Sequence, residues 1–91
     1  MINPVEVYPL MDKVKRYRQI REILRENPQG LTAKEIAYIM CHIKHYTPTD
    51  ERNFSAPRLT ELEYKGEVQV IGKKTDPWTH KKVRVYQLVE A

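Results

Sequence analysis

Five cations crowd the segment GKKTDPWTHKKVR, residues 72–84: Lys73, Lys74, Lys81, Lys82 and Arg84, with only Asp76 against them. The formal net charge of the chain is +4, and this segment alone carries five positive charges less one negative. The remaining eleven basic and eleven acidic side chains therefore cancel. Positive charge gathered in one place suits contact with a polyanion. The same lysines would also keep a sheet edge from pairing with another chain. Trp78 and His80 lie among them. Both rings can pack on a sugar or enter a groove, and the indole can instead fold back on its own ribbon or on the first helix.

A second set, Arg52, Asn53, Ser55, Arg58 and Thr60, holds side chains that bond base edges and phosphates. A guanidinium grips guanine bidentately, a carboxamide does the same for adenine, and hydroxyls hold phosphate oxygens. Glu51, Glu61 and Glu63 stand beside them and would either pair with the arginines or repel phosphate, which leaves the N-terminal half of the stretch more attractive to an anion. A third set is Cys41, His42 and His45, with His80 as a distant fourth. Cys41 and His45 share a helical face, yet the paired cysteines of a structural zinc site are missing, so a polar cluster rather than a metal centre is expected. There is no Gly-rich phosphate loop, and no nucleophile has a base at readable spacing. Neither an enzyme activity nor a cofactor is expected.

Leu10, Val14, Tyr17, Ile20 and Leu24 recur every three or four residues. That spacing predicts a half-buried helix from about Leu10 to Glu26, opened by Pro9 and ended by Asn27 and Pro28. Thr32 and Glu35 form a capping box for a second helix, whose buried face is Ala33, Ile36, Ala37, Ile39 and Met40 and which continues to about Lys44 or His45. Leu31 is placed for a short strand contact or a hydrophobic staple. After the loop YTPTD, a third helix starts between Asp50 and Ser55, turns Leu59 and Leu62 inward and Asn53, Pro57, Thr60 and Glu61 outward, and stops at Gly66. Pro57 is a first-turn proline if this helix begins at Ser55; a start near Arg52 forfeits one or two hydrogen bonds. The period then falls to two, with Val68 and Val70 on one face of EVQVIG, and Val83, Val85, Gln87 and Val89 on one face of KVRVYQLV. Asp76 and Pro77 suit the first two positions of a type I turn between these strands.

At 91 residues, 41% hydrophobic and 31% charged, the chain reads as one domain: an arm over 1–9, helices over 10–65 and a ribbon over 67–90. No apolar run approaches the roughly 18 residues of a membrane span. MINPVEVYPL lacks the basic start and apolar middle of a signal peptide. With a lone Cys41, a cytoplasmic protein without membrane contact is expected.

GLTAKEIAYIM, RLTELEYKGEVQV and the basic hairpin resemble the winged helix-turn-helix domains of bacterial and phage regulators, including the multiple antibiotic resistance regulator type. Leu59, Leu62, Gly66 and Val70 follow loosely the run with which that family closes its third helix and opens its wing, and the resemblance covers about residues 10–90. It implies an α+β fold, a three-helix bundle with a C-terminal two-stranded β-ribbon wing, and leaves Leu31 open to form a third short strand. It implies double-stranded DNA as the partner of a transcriptional regulator or DNA-transaction accessory factor. Arg52, Asn53, Ser55, Arg58 and Thr60 would then enter the major groove, while Lys73, Lys74, Trp78, His80, Lys81, Lys82 and Arg84 follow the backbone. The chain departs from the family in a longer connection between helices 2 and 3, and in carrying none of the long flanking helices through which many such regulators pair. A homodimer partner or another protein is expected to complete the contact. Two other readings stay open: the same fold as a protein-interaction adaptor, and binding of RNA or single strands through Trp78, Tyr86 and the lysines.

Overall fold

The first helix ends where its side chains and its proline require it to end. Asn27 Nδ2 donates to the Ile23 carbonyl at 2.8 Å, Pro28 cannot extend the helix, and Gly30 N–H returns to the Asn27 carbonyl at 3.0 Å. The structure, a computed structural model, describes the backbone of residues 4–89 and the side chains of residues 13–89. Helix α1 spans Pro4–Glu26, 23 residues. It is followed by strand β1 (Leu31–Thr32), helix α2 (Ala33–Tyr38) with a π-type continuation over Ile39–Ile43, a 3₁₀ turn (Arg52–Phe54), helix α3 (Ala56–Tyr64), and strands β2 (Val68–Thr75) and β3 (Lys82–Leu88).

Two expectations for α1 are corrected. The helix starts at Pro4 rather than near Leu10, so residues 4–9 are helical instead of an arm and Pro9 lies inside the helix; residues 1–3 fall outside the described part. Pro4 offers the same first-turn compatibility as Pro9, several residues earlier. Val14 is 49% exposed, because the core begins one turn later at Tyr17 and continues through Ile20, Ile23 and Leu24. Leu10 lies outside the described side chains.

The capping box forms as expected: Glu35 N–H reaches Thr32 Oγ1 at 3.2 Å and Thr32 N–H reaches Glu35 Oε1 at 2.8 Å. Ile36, Ala37 and Met40 are then fully buried. The connection to α3 is tied to α1 by Lys44, which the carboxylates of Glu26 and Glu22 push up to about 12, and by Tyr46, whose hydroxyl donates to Glu22 at 3.1 Å. Gly66 stops α3 in a left-handed conformation (φ 79°), where Gly66 N–H meets the Glu63 carbonyl at 3.0 Å and Glu67 N–H meets that of Leu62 at 2.9 Å. These two bonds close a Schellman motif and aim the chain into β2.

The strands form an antiparallel sheet in the order β1-β3-β2. Leu31 therefore does make a third short strand, opposite Tyr86. Partners across an antiparallel ladder share a face, so Val68 with Leu88 and Val70 with Tyr86 point together into the core. Of the two alternating sets on β3 the register thus turns Tyr86 and Leu88 inward and leaves Val83, Val85, Gln87 and Val89 on the other face. Tyr86 is 7% exposed, whereas Gln87 turns out to bond Gln69 at 3.0 Å and Val89 is 41% exposed. A register shift between Val70 and Gly72 leaves Ile71 as the extra residue, and the ribbon bends there.

Gly30 sits under this sheet with φ 97°, and a Cβ there would lie 2.9 Å from both Ile71 Cδ1 and Val85 Cγ1 and 3.0 Å from the Tyr86 carbonyl oxygen. Gly30→Ala should therefore lower stability by about 1–3 kcal/mol through strain and displacement of the sheet. Urea unfolding would show it as a lower midpoint with an unchanged slope.

Candidate nucleic-acid interface

Helix α3 starts without a side-chain cap. Ser55, in the N-cap position and expected to face a partner, is instead completely buried, and its hydroxyl donates to the Ala33 carbonyl at 2.9 Å. It joins the first turn of α3 to that of α2 and is withdrawn from any external contact. Pro57 falls in the first turn, where its missing N–H has no intrahelical partner to lose, and a 3₁₀ turn holds Arg52–Phe54 ahead of it.

Arg58 and Glu61 are also placed differently from expectation. Arg58 Nη2 lies 2.6 Å from Glu61 Oε1, with only 21% and 30% of the two side chains exposed, and Glu61 accepts a hydrogen bond from the Tyr17 hydroxyl of α1. That bond, with Arg58 and Lys13 nearby, holds the Glu61 carboxyl below its ordinary range. Arg58 and Glu61 thus fill the α1–α3 seam. The outward stripe of α3 is Pro57, Thr60 and Tyr64, preceded by Asn53 of the 3₁₀ turn, all exposed, with Tyr64 at 95%. Tyr64 belongs with the expected set: it lies seven residues after Pro57, on the same helical face.

The hairpin curls over the N-terminus of α2. Lys74 Nζ reaches Glu35 Oε2 at 2.7 Å, and Lys34 Nζ lies 3.8 Å from Asp76 Oδ2 and 5.5 Å from the centre of the Trp78 ring. Trp78 is 77% exposed, so it folds neither into its own ribbon nor onto α1. Asp76 shapes the tip: its N–H bonds the Lys81 carbonyl, its carbonyl accepts from His80 N–H, and its carboxylate accepts Trp78 N–H, each at 2.8 Å. His80 takes the left-handed conformation (φ 60°) that lets the loop close.

Lys73 pairs in register with Arg84, and both side chains lie on the sheet face that carries Tyr86, toward α3. Arg84 approaches Glu63 at 3.9 Å. Among the described residues, Arg52, Lys73, Lys81 and Lys82 make no ion pair. Arg52 from before α3, Lys34 from α2 and Arg84 from β3 line one hollow of about 220 Å³ at the start of α3, with Asp76 as its carboxylate. The third candidate set does not assemble. His42 lies 3.2 Å from Asp50 and its ring centre is 4.6 Å from that of Tyr38, and no group of three metal-ligating side chains occurs among the described residues. No described helix is long and apolar enough to cross a membrane.

Glu35 and Asp76 are the acid-sensitive ends of the bonds that hold the hairpin. Burial alone would raise Glu35, but bonds from Lys74 and Thr32 outweigh it and hold the carboxyl below its ordinary 4.5. Asp76 is held below 3.8, first by the Trp78 N–H and then by Lys34. A carboxyl lowered in the folded state adds stability above its unfolded pKa and loses it as pH falls through the folded one. The hairpin should accordingly hold from neutral pH down to the ordinary carboxylate range and loosen below it. Trp78 emission and amide exchange at Asp76–His80 would follow the change, and Glu35→Gln should remove part of it.

Comparison with protein-family models, with curated proteins and with solved structures finds no match to this chain.

Proposed function

We propose that this chain is a winged helix domain that binds double-stranded DNA, serving as a small transcriptional regulator or DNA-transaction accessory factor of bacterial or phage type. The element order and the β1-β3-β2 sheet agree with that fold. One observation carries the functional reading: Arg52, Lys34 and Arg84, from three separate elements, line a single hollow beside the first turn of α3. The start of α3 and strand β3 of the cationic hairpin thereby meet at one cationic hollow.

On this reading α3 enters the major groove with Asn53, Thr60 and Tyr64 forward and Arg52 beside them. Its carboxylates do not oppose the approach. Glu61 is engaged by Tyr17 and Arg58, and Glu63 lies beside Arg84, so neither presents an uncompensated charge to phosphate. Lys73, Lys81 and Lys82 are free to neutralise backbone phosphates, and Trp78 and His80 are carried at the tip beside them. Arg58 acts as a support for α3 on α1, and the adjacent Glu61 fixes its guanidinium. The adaptor reading is favoured by a different feature, the apolar groove between α2 and the hairpin.

Duplex DNA of mixed sequence should bind at low salt, with log K falling as log[salt] rises. Changing Lys73, Lys81 and Lys82 together to Ala should lower that slope by roughly 0.9 for each phosphate that is no longer neutralised. Failure to bind any duplex, or a slope indifferent to the three substitutions, would end the DNA reading. Asn53→Ala should reduce discrimination between sequences more than nonspecific affinity, whereas Arg58→Ala should act mainly on thermal stability.

A further inference from the structure

Strand β3 is paired on both sides for only part of its length. Against β2 it is paired from Lys82 to Leu88, but against β1 only Val85 and Tyr86 have partners. The cause lies in the capping box: immediately after Thr32 the chain turns into α2 and leaves the plane of the sheet. Lys82, Val83 and Arg84 are therefore left with an open backbone edge among the described residues, a template for one more strand.

Two adjoining hollows, which share Thr32, Lys34, Asp76 and Val83, border this open edge, and their other walls differ chemically. Val83 borders the larger, about 790 Å³, whose walls include Leu31, Tyr38, Ile39 and Trp78. Four of its five charged side chains are paired, Lys74 with Glu35 and Lys34 with Asp76, so what it offers an occupant is mainly apolar surface. Arg84 borders only the smaller, about 220 Å³, where Arg52, Lys34 and Arg84 outnumber the single carboxylate of Asp76. Successive side chains of an added strand point to opposite faces. A strand laid along Lys82–Arg84 would send one side chain into the apolar hollow and its neighbours into the cationic one.

The geometry points to this edge as a docking site for an extended peptide in which acidic and apolar side chains alternate. Main-chain bonds to β3 would supply affinity and the two hollows would supply selection, as in recognition by strand addition. A carboxylate entering the smaller hollow would meet Arg52 and Arg84, and would replace the 3.8 Å approach of Lys34 to Asp76. An apolar side chain on the other face would bury part of Trp78 and Tyr38, which are 77% and 53% exposed. Arg52 and Arg84 would also serve DNA, so peptide and duplex would exclude one another. Only this last clause rests on the function proposed above.

The experiment titrates the full chain with a capped hexapeptide, Ser-Glu-Phe-Glu-Val-Thr, following Trp78 emission and the backbone amide resonances. Two control peptides accompany it: one of the same composition with the alternation scrambled, and one with its Phe and Val nitrogens methylated. Saturable binding at millimolar peptide or below is expected, with amide shifts and slowed exchange centred on Lys82, Val83 and Arg84. Both control peptides should bind roughly tenfold more weakly or worse, the methylated peptide for want of one or two hydrogen bonds and the scrambled one because its acidic and apolar side chains no longer alternate between the faces. Val83→Glu, at a half-exposed position of the ribbon, should weaken the parent peptide by a similar factor without changing the amide spectrum of the helices. Equal binding by all three peptides, or no response at Lys82–Arg84, would overturn the site. Release of bound duplex by the parent peptide is expected, and a duplex unaffected by saturating peptide would overturn mutual exclusion alone. A chain that binds no duplex at all would sink the DNA reading, while the peptide titration would still decide this one.

Discussion

The central position of β3 is the constraint on which the rest of the molecule depends. Tyr86 is held opposite Leu31 on one side and Val70 on the other, so a single register fixes the position of β1, the bend in β2 and the inward face of both long strands. A slip of one residue would send Tyr86 and Leu88 to solvent and bring Val85 and Gln87 into the core. The helices then close over that face. Leu59 and Leu62 of α3, Ile36 and Met40 of α2, and Ile20, Ile23 and Leu24 of α1 are at most 1% exposed. Each such side chain contributes roughly 1.5–3 kcal/mol by leaving water.

The charged pairs belong to a different scale. Lys74–Glu35, Lys34–Asp76 and Arg84–Glu63 all join side chains that remain open to solvent, apart from Asp76. Exposed pairs of this kind are worth about 0–1 kcal/mol. They are too weak to hold the fold and strong enough to orient the ribbon over α2. Because the core sets the stability, the cations can exchange an internal carboxylate for an external anion at little cost.

Much of the architecture was legible in local sequence. The Thr32–Glu35 box, the stop at Gly66, the inward Leu59 and Leu62 and the two long strands all depend on neighbours within a few residues, and all are present. Apart from the start of α1, which Pro4 suits locally, the misses have a common physical origin in interactions between residues far apart in the chain. Ser55 has the side chain of a helix cap, and nothing nearby indicates that Ala33, twenty-two positions earlier, takes its hydroxyl. Tyr17 and Glu61 are separated by forty-four positions and Lys74 and Glu35 by thirty-nine, so no spacing rule could reveal that Glu61 is occupied or that the ribbon leans on α2. The face of β3 is ambiguous for a related reason. Alternation shows which residues share a face, but the choice between faces belongs to the partner strand, and in KVRVYQLV the valines outnumber the tyrosine and leucine that the register actually turns inward.

The proline near the start of α3 now has a physical account tied to the site. With the Ser55 hydroxyl committed to Ala33, the helix lacks the side-chain acceptor that would ordinarily satisfy one of its first N–H groups. Pro57 removes one of those donors and fixes φ in the helical range, so the uncapped turn is left with one fewer donor to satisfy. The donors that remain, at the positive end of the helix dipole, lie beside the hollow lined by Ala56, Arg52 and Arg84. A side-chain cap there would satisfy that end of α3 internally and lessen its demand for an acceptor. The buried serine, the first-turn proline and the two arginines instead make the start of α3 a turn whose local field is positive and whose geometry is fixed from α2.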